Sequence, residues 1–214
     1  QRAIFHSALP RHIADRMARG ERVSDYFEHA AVMFLDIVGF TELSSSLASS
    51  EVVNLLQQIF SLLDDICQQH DIVKIKTIGD CYMAVAFPDE ANNDANIGVR
   101  ATQAALVMLQ SMDSLSISLH FPIQTRIGIH IGPLTAGVLG KERLQYDVWG
   151  DTVNVASRME STGSPGKIQI SEALALSLQA STLYPELSEG SRIEPRGEIE
   201  IKGKGLMKTY WLLP

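Results

Sequence analysis

The chain has 214 residues, of which 45% are hydrophobic and 20% charged, with a net charge of −7. That length can bury a full core in one domain, and the composition is ordinary for a globular protein. An acidic balance without any Lys/Arg-rich block excludes a duplex-binding surface, so no nucleic-acid partner is expected.

No apolar run approaches the roughly 20 residues that span a bilayer, and there is no signal peptide. Cys67 and Cys81 are the only cysteines, and both read as small core residues of a reduced, cytosolic chain. The first residue is Gln1 rather than Met. The expectation is a piece of a longer protein, with a sensor or membrane part lying outside it.

Phe5, Leu9, Ile13 and Met17 recur every four residues around Pro10, among Arg11, Arg16, Arg19 and Arg22. The pattern predicts short amphipathic helical turns over 1–26, a solvated entry segment, with a membrane-surface helix as the alternative. Ala31–Leu35 is an apolar, β-type run that ends in a single carboxylate, Asp36. An ionised carboxylate is not buried without a partner, so it is paired, metal-bound or at the strand's mouth. Gly39 permits close backbone approach, and Thr41-Glu42 resembles a helix start. Strand, acid, glycine turn and helix start can hold a cation on the acid and a phosphate on free amides. The competing reading is a structural Asp capping the helix at Thr41.

A helix is expected near Thr41–Leu47. A longer one is expected over Glu51–His70, with Val52, Leu55, Leu56, Ile59, Leu63 and Ile66 on one face. Ile72–Phe87 reads as two strands joined at Gly79-Asp80, closed by Pro88, which brings a second carboxylate towards Asp36. A helix near Asn93–Met112 follows. Then comes a strand with Ile123, Thr125, Ile127, Ile129 and Ile131 on one face, and Gln124, Arg126, Gly128 and His130 on the other. Gly132-Pro133 is expected to turn it into a second strand, Leu134–Leu139. His130 stands alone and reads as structural.

In Gln145–Met159 an extended piece ends at Gly150, and Asp151 or Thr152 is expected to cap a helix that places Asn154 and Arg158 on one face. Arg suits phosphate and Asn a ribose, although an exposed Asn–Arg pair is also an ordinary surface feature. Ser161–Lys167 reads as a loop, Ile168–Ile170 as a short strand and Glu172–Leu178 as a helix. An irregular stretch is expected up to Gly197. Glu198–Leu213 reads as a hairpin turning near Gly203–Gly205, with Lys202 and Lys204 at its tip. These lysines are either solvated turn residues or reach a triphosphate.

Phe34-Leu-Asp-Ile-Val-Gly-Phe-Thr41, Lys76-Thr-Ile-Gly-Asp80, Arg126-Ile-Gly-Ile-His130, Tyr146-Asp-Val-Trp-Gly-Asp-Thr-Val-Asn-Val-Ala-Ser-Arg158 and Lys202-Gly-Lys-Gly205 resemble, in order, the motifs of class III adenylyl/guanylyl cyclases. The resemblance covers residues 27–214. Leu9-Pro10 through Gly20-Glu21 resembles, less specifically, the segment that precedes this domain in membrane-anchored or sensor-linked bacterial cyclases. No Gly-Gly-Asp/Glu-Glu-Phe signature and no loop ending in Gly-Lys-Ser/Thr is present, which excludes a diguanylate cyclase and a P-loop NTPase.

The resemblance implies an α+β fold with a ferredoxin-like βαββαβ core of the palm-related type. It also implies a head-to-tail homodimer with two shared sites. It assigns a metal site to Asp36, Ile37 and Asp80, taking two Mg²⁺ or Mn²⁺ per active site. Lys76 and Asp147 would read the purine, Ile37, Gly39, Phe40 and Thr41 would receive the triphosphate together with Lys202, and Asn154 and Arg158 would act in the transition state. The implied activity is adenylate cyclase, ATP to 3′,5′-cyclic AMP and pyrophosphate, in a cytoplasmic catalytic domain of a membrane-anchored parent. Guanylyl cyclase and a catalytically silent, dimerising regulatory domain are the alternatives.

Overall fold

The structure is a computed structural model that describes residues 9–88, 95–181 and 192–214. Its elements in chain order are α1 (Arg11–Ala18), β1 (Ser24–Val38), α2 (Phe40–Ser45), α3 (Ser49–Gln69), β2 (Val73–Ile78), β3 (Cys81–Ala86), α4 (Ala95–Ser118), β4 (Gln124–Leu139), β5 (Gln145–Trp149), α5 (Asp151–Ser161), β6 (Ile168–Ser171), α6 (Glu172–Ala180), β7 (Arg192–Ile201) and β8 (Gly205–Leu213). One mixed sheet runs β2-β3-β1-β4-β6-β8-β7, with β5 paired to β4. Its β2-β3-β1-β4 part is antiparallel throughout, and with the intervening helices it forms the expected βαββαβ core. Among the described residues no helix is long and apolar enough to cross a membrane.

Strand alternation builds two cores. Ala31, Met33, Leu35 and Ile37 of β1 pack with α3, α4 and α6 on one side. Ala30, Val32 and Phe34 pack on the other, with α1, β5 and Ala156 of α5. A strand buried on both faces reads as a continuous apolar run, which is why Ala31–Leu35 carries no polar alternation. Asp36 continues the parity of Phe34, so it emerges on the α5 side of the sheet.

Four expectations need correction. The entry segment is not solvated: Leu9, Ile13 and Ala14 are buried against Val23, Val32 and Tyr146, and Arg16 binds Asp25 at 2.5 Å. Phe5 lies outside the described residues, as do residue 93 and most of the stretch expected to be irregular. Gly132-Pro133 does not turn the chain, and β4 runs unbroken through it. The register of β1 against β4 slips between Phe27 and Ala30, opposite Pro133, so the missing proline N–H falls where the ladder is already interrupted. The chain over 192–197 is strand rather than loop, because β7 is an edge strand and its slip between Pro195 and Gly197 accommodates both residues. Finally, α5 has no side-chain cap. Gly150 stands at its N-cap, Asp151 binds Lys204, and the Thr152 hydroxyl donates to the carbonyl of Pro133 at 2.5 Å.

The helix that matters most for the site, α5, crosses β4 at Gly128. A Cβ built there would lie 2.0 Å from the backbone nitrogen of Glu160 and 2.4 Å from the carbonyl carbon of Met159. Backbone cannot yield as a flexible side chain does, so only glycine allows this approach. The buried amide of Gln169 then ties the end of α5 by donating to Met159 O and Thr162 Oγ1, both at 2.8 Å. Gly128→Ala is expected to cost about 3 kcal/mol, read from urea unfolding. A loss below about 1 kcal/mol would show that α5 can ride outward.

Candidate active site

Register brings the first group together. On β1, Asp36 stands opposite Cys81 of β3 and Arg126 of β4. Asp80 immediately precedes Cys81 in the β2–β3 turn, and Gly79 takes a positive φ of 60° to make that turn. From above, α5 lowers Glu160, only 7% exposed, onto the same spot. Arg126 then serves two acids, with Nε 2.6 Å from Glu160 and Nη2 3.3 Å from Asp36. The ligand atoms of Asp36, Cys81 and Glu160 all lie within 4.8 Å of one another.

The electrostatics follow from that crowding. Burial first, then the charges of Asp80 and Glu160 and a hydrogen bond with Asp80, push the Asp36 carboxyl up to about 6, against the opposing pull of Arg126. Burial also raises Glu160, while Arg126 pulls it down. The Cys81 thiol is pushed up to about 12 by burial and the neighbouring carboxylates, so it stays neutral. Asp36 and Glu160 share one guanidinium and Asp80 adds a third carboxylate beside Asp36, so the site is short of positive charge. Oxygen donors with uncompensated charge suit a hard divalent cation such as Mg²⁺ or Mn²⁺. Asp36 does not cap the next helix: the N-cap of α2 is Gly39 at φ 74°, with no side-chain cap. That leaves the amides at Phe40 and Thr41 free of side-chain acceptors.

A second group forms farther along the hairpin, in its strand. Lys76 Nζ lies 2.8 Å from Asp147 Oδ2, although the two residues are 71 apart in sequence. Asp147 also accepts from the amide of Val148 at 2.8 Å, which fixes its carboxylate. A bulge in β2 aims Lys76: Lys74 stands opposite Ala84 but Lys76 opposite Met83. Ala84 and Met83 belong to different cores, so the two lysines leave opposite faces of the strand.

A third group lies apart from the acids. Asn154 and Arg158 are exposed on α5, and Arg158 Nη2 reaches Glu200 O at 3.4 Å. At 3.6 residues per turn, Arg158 and Glu160 point to nearly opposite sides of the helix. Arg158 therefore faces away from the Asp36–Asp80 pair of its own chain. In the β7–β8 turn Lys204 binds Asp151, while Lys202 is exposed and has no carboxylate partner among the described residues. His130 is structural: its Nδ1 lies 2.6 Å from Ser171 Oγ, and burial, then Lys204, pushes it down to about 4.

Cavities of about 660 and 630 Å³ lie elsewhere, around α1, and neither is lined by Asp36, Asp80, Asn154 or Arg158. Sequence reasoning missed Glu160 and the role of Arg126. The available signal was the stripe Thr152, Val155, Ala156, Met159 and Glu160, an apolar helical face that ends in an acid.

The family model for the adenylate and guanylate cyclase catalytic domain matches residues 23–214. An adenylate cyclase of Mycobacterium tuberculosis is 38% identical over 99% of this chain and 46% of its own length. The receptor-type guanylate cyclase gcy-14 of Caenorhabditis elegans is 37% identical over 98% of this chain and 18% of its own length. The chain thus spans half or less of these curated relatives. The crystal structure of the adenylyl cyclase CyaB from P. aeruginosa superposes with a TM-score of 0.79 at 26% identity, covering 89% of this chain and 96% of that one.

The raised Asp36 carboxyl has a stability consequence. Its folded value, about 6, lies above the ordinary 3.8, so its contribution is fully present below pH 3.8 and lost as pH rises through 6. In chelator, Asp36→Asn is expected to be more stable than the unmutated protein by about 3 kcal/mol at pH 7.5 and equal to it near pH 3.5, measured by urea unfolding. Equal stabilities at both pH values would mean that Asp36 is not under this strain.

Proposed function

This chain belongs to the adenylate and guanylate cyclase catalytic-domain family, and from that premise we propose that it is an adenylate cyclase. It converts ATP to 3′,5′-cyclic AMP and pyrophosphate in a head-to-tail homodimer with two shared sites. The observation that carries the reading is the Lys76–Asp147 contact. Adenine offers an acceptor at N1 and a donor at N6, which suits an ammonium donor beside a carboxylate acceptor. Guanine reverses both at N1 and O6, and a buried polar mismatch is rejected by orders of magnitude. A catalytically silent role is disfavoured because Asp36, Asp80, Asn154 and Arg158 are all retained.

In this reading Asp36 and Asp80, with Ile37, hold two Mg²⁺ or Mn²⁺ ions. Such ions, when bound, acidify the ribose 3′-hydroxyl and neutralise the β- and γ-phosphates. The backbone of Ile37, Gly39, Phe40 and Thr41 receives the triphosphate, and Lys202 meets it from the β7–β8 turn. Asn154 orients the ribose for in-line attack by O3′ on the α-phosphate. Arg158 stabilises the charge that develops there as pyrophosphate leaves. No protein nucleophile is needed, since positioning and electrostatics carry phosphoryl transfer.

The shared site is supported by the opposed directions of Arg158 and Glu160 on α5. Acids from one chain and the Lys76, Asp147, Asn154, Arg158 set from its partner resolve this opposition, and two-fold symmetry repeats the arrangement. This reading goes with a cytoplasmic catalytic domain, with a sensor or membrane part elsewhere in the parent protein.

Two outcomes test the proposal. The unmutated protein should turn over ATP at least about a hundredfold better than GTP in kcat/KM, and comparable rates would refute the base-reading account. Inactive Asp36→Ala and Arg158→Ala chains, mixed in equal amounts, should recover roughly a quarter of the unmutated specific activity, because half of the dimers then carry one intact site. Heterodimers that form yet stay inactive would refute the shared site.

A further inference from the structure

Arg196 lies at the slip in β7, where Pro195 stands opposite Tyr210 and Gly197 opposite Thr209. It is the extra residue of a bulge, and a bulge changes the faces that later side chains take. Strict alternation would put Arg196 on one face of β7 and Ile199 and Ile201 on the other. With the bulge, all three reach the α5 side. Ile199 and Ile201 pack with Val155 and Met159 of α5. Arg196 Nη1 donates to the carbonyl of Thr162, the C-cap residue of α5, and to Oε1 of the buried Gln169. Its guanidinium carbon lies 4.8 Å from the centre of the Trp211 ring on β8, a cation–π contact.

The same strand meets Arg158. Arg158 Nη2 reaches Glu200 O, and Lys202 follows in the turn. The Arg158 carbonyl accepts the Thr162 hydroxyl at 2.5 Å and the Thr162 amide at 3.0 Å. Apolar contact at Ile199 and Ile201 is non-directional, so alone it would let β7 pivot on α5. Arg196 adds a directional second point, roughly 15 Å along the strand from Ile201. It does so at the helix end where a cation is favoured.

We propose that Arg196 locks β7 to the end of α5 and thereby positions Arg158 for the transition state. Without the tie, β7 can pivot, Glu200 O leaves Arg158 Nη2, and the last turn of α5 loosens. Arg158 then spreads over several directions instead of one, and its charge meets the reacting phosphate less often. Arg196 acts through Arg158 and is a positioning residue. The inference rests on the cyclase reading, in which Arg158 meets the α-phosphate, and adds one residue to it.

The test is steady-state kinetics of the full chain with ATP, beside urea unfolding and amide hydrogen exchange. Arg196→Met keeps the apolar stem and removes the donors. Arg196→Lys keeps a cation that can donate to both oxygens. Trp211→Leu removes the ring against which the guanidinium lies. Because Arg158 acts in the transition state, kcat should fall about fivefold or more in Arg196→Met, with KM for ATP within about twofold. The amides of Thr162 and Gly163 should exchange faster in that variant. Arg196→Lys should keep kcat near the unmutated value, and Trp211→Leu should lose less than Arg196→Met. An unchanged kcat per folded chain, whatever the stability, would make the tie merely structural and overturn the proposal. So would a rise in KM alone, or an Arg196→Lys variant as slow as Arg196→Met. Should Arg196→Met fail to fold, Trp211→Leu decides by the same split of kcat from KM. An unmutated protein without cyclase activity would instead overturn the cyclase reading, and this inference with it.

Discussion

Three carboxylates, Asp36, Asp80 and Glu160, converge around one guanidinium among the described residues, that of Arg126, which binds Asp36 and Glu160. Buried like charges repel strongly, and the fold holds them together at a cost to its own stability. A divalent cation would relieve that cost. The surrounding architecture enforces the crowding: β1 sits centrally between β3 and β4, the hairpin tip delivers Asp80, and the bare backbone at Gly128 lets α5 press Glu160 inward.

The same elements look outward as well. Opposite faces of α5 carry Glu160 and Arg158, and one hairpin carries Lys76 in its strand and Asp80 in its turn. Within one chain these groups face in different directions, with Arg158 turned away from the acids.

Much of this was legible in the sequence. The βαββαβ order, the two acids and the exposed Asn154–Arg158 pair follow from periodicity, turn residues and a lone carboxylate after an apolar run. What escaped were features decided by neighbours distant in the chain. Pro133 looked like a turn because its missing N–H seemed to require one, yet the slip in β1 across from it removed the demand. Leu9 and Ile13 read as a solvated stripe because the surface that buries them, Val32 and Tyr146, arrives later. Glu160, which the sequence reading passed over, lies on a buried face because Gly128 admits α5 so closely. The opposite aims of Lys74 and Lys76 depend on a bulge that no alternation pattern reveals.

The contact at Gly128 carries a further implication. Helices in packed proteins usually transmit motion by sliding a little over side chains that repack. At Gly128 backbone meets backbone, and Gln169 with Thr152 ties both ends of the helix. This joint has no slack, so α5 cannot act as a piston inside its own subunit. A stimulus arriving through α1, which is docked on the same side of the sheet, would have to move the sheet and α5 together as one body. Displacement of the domain as a whole, rather than deformation within it, is the kind of control this packing permits.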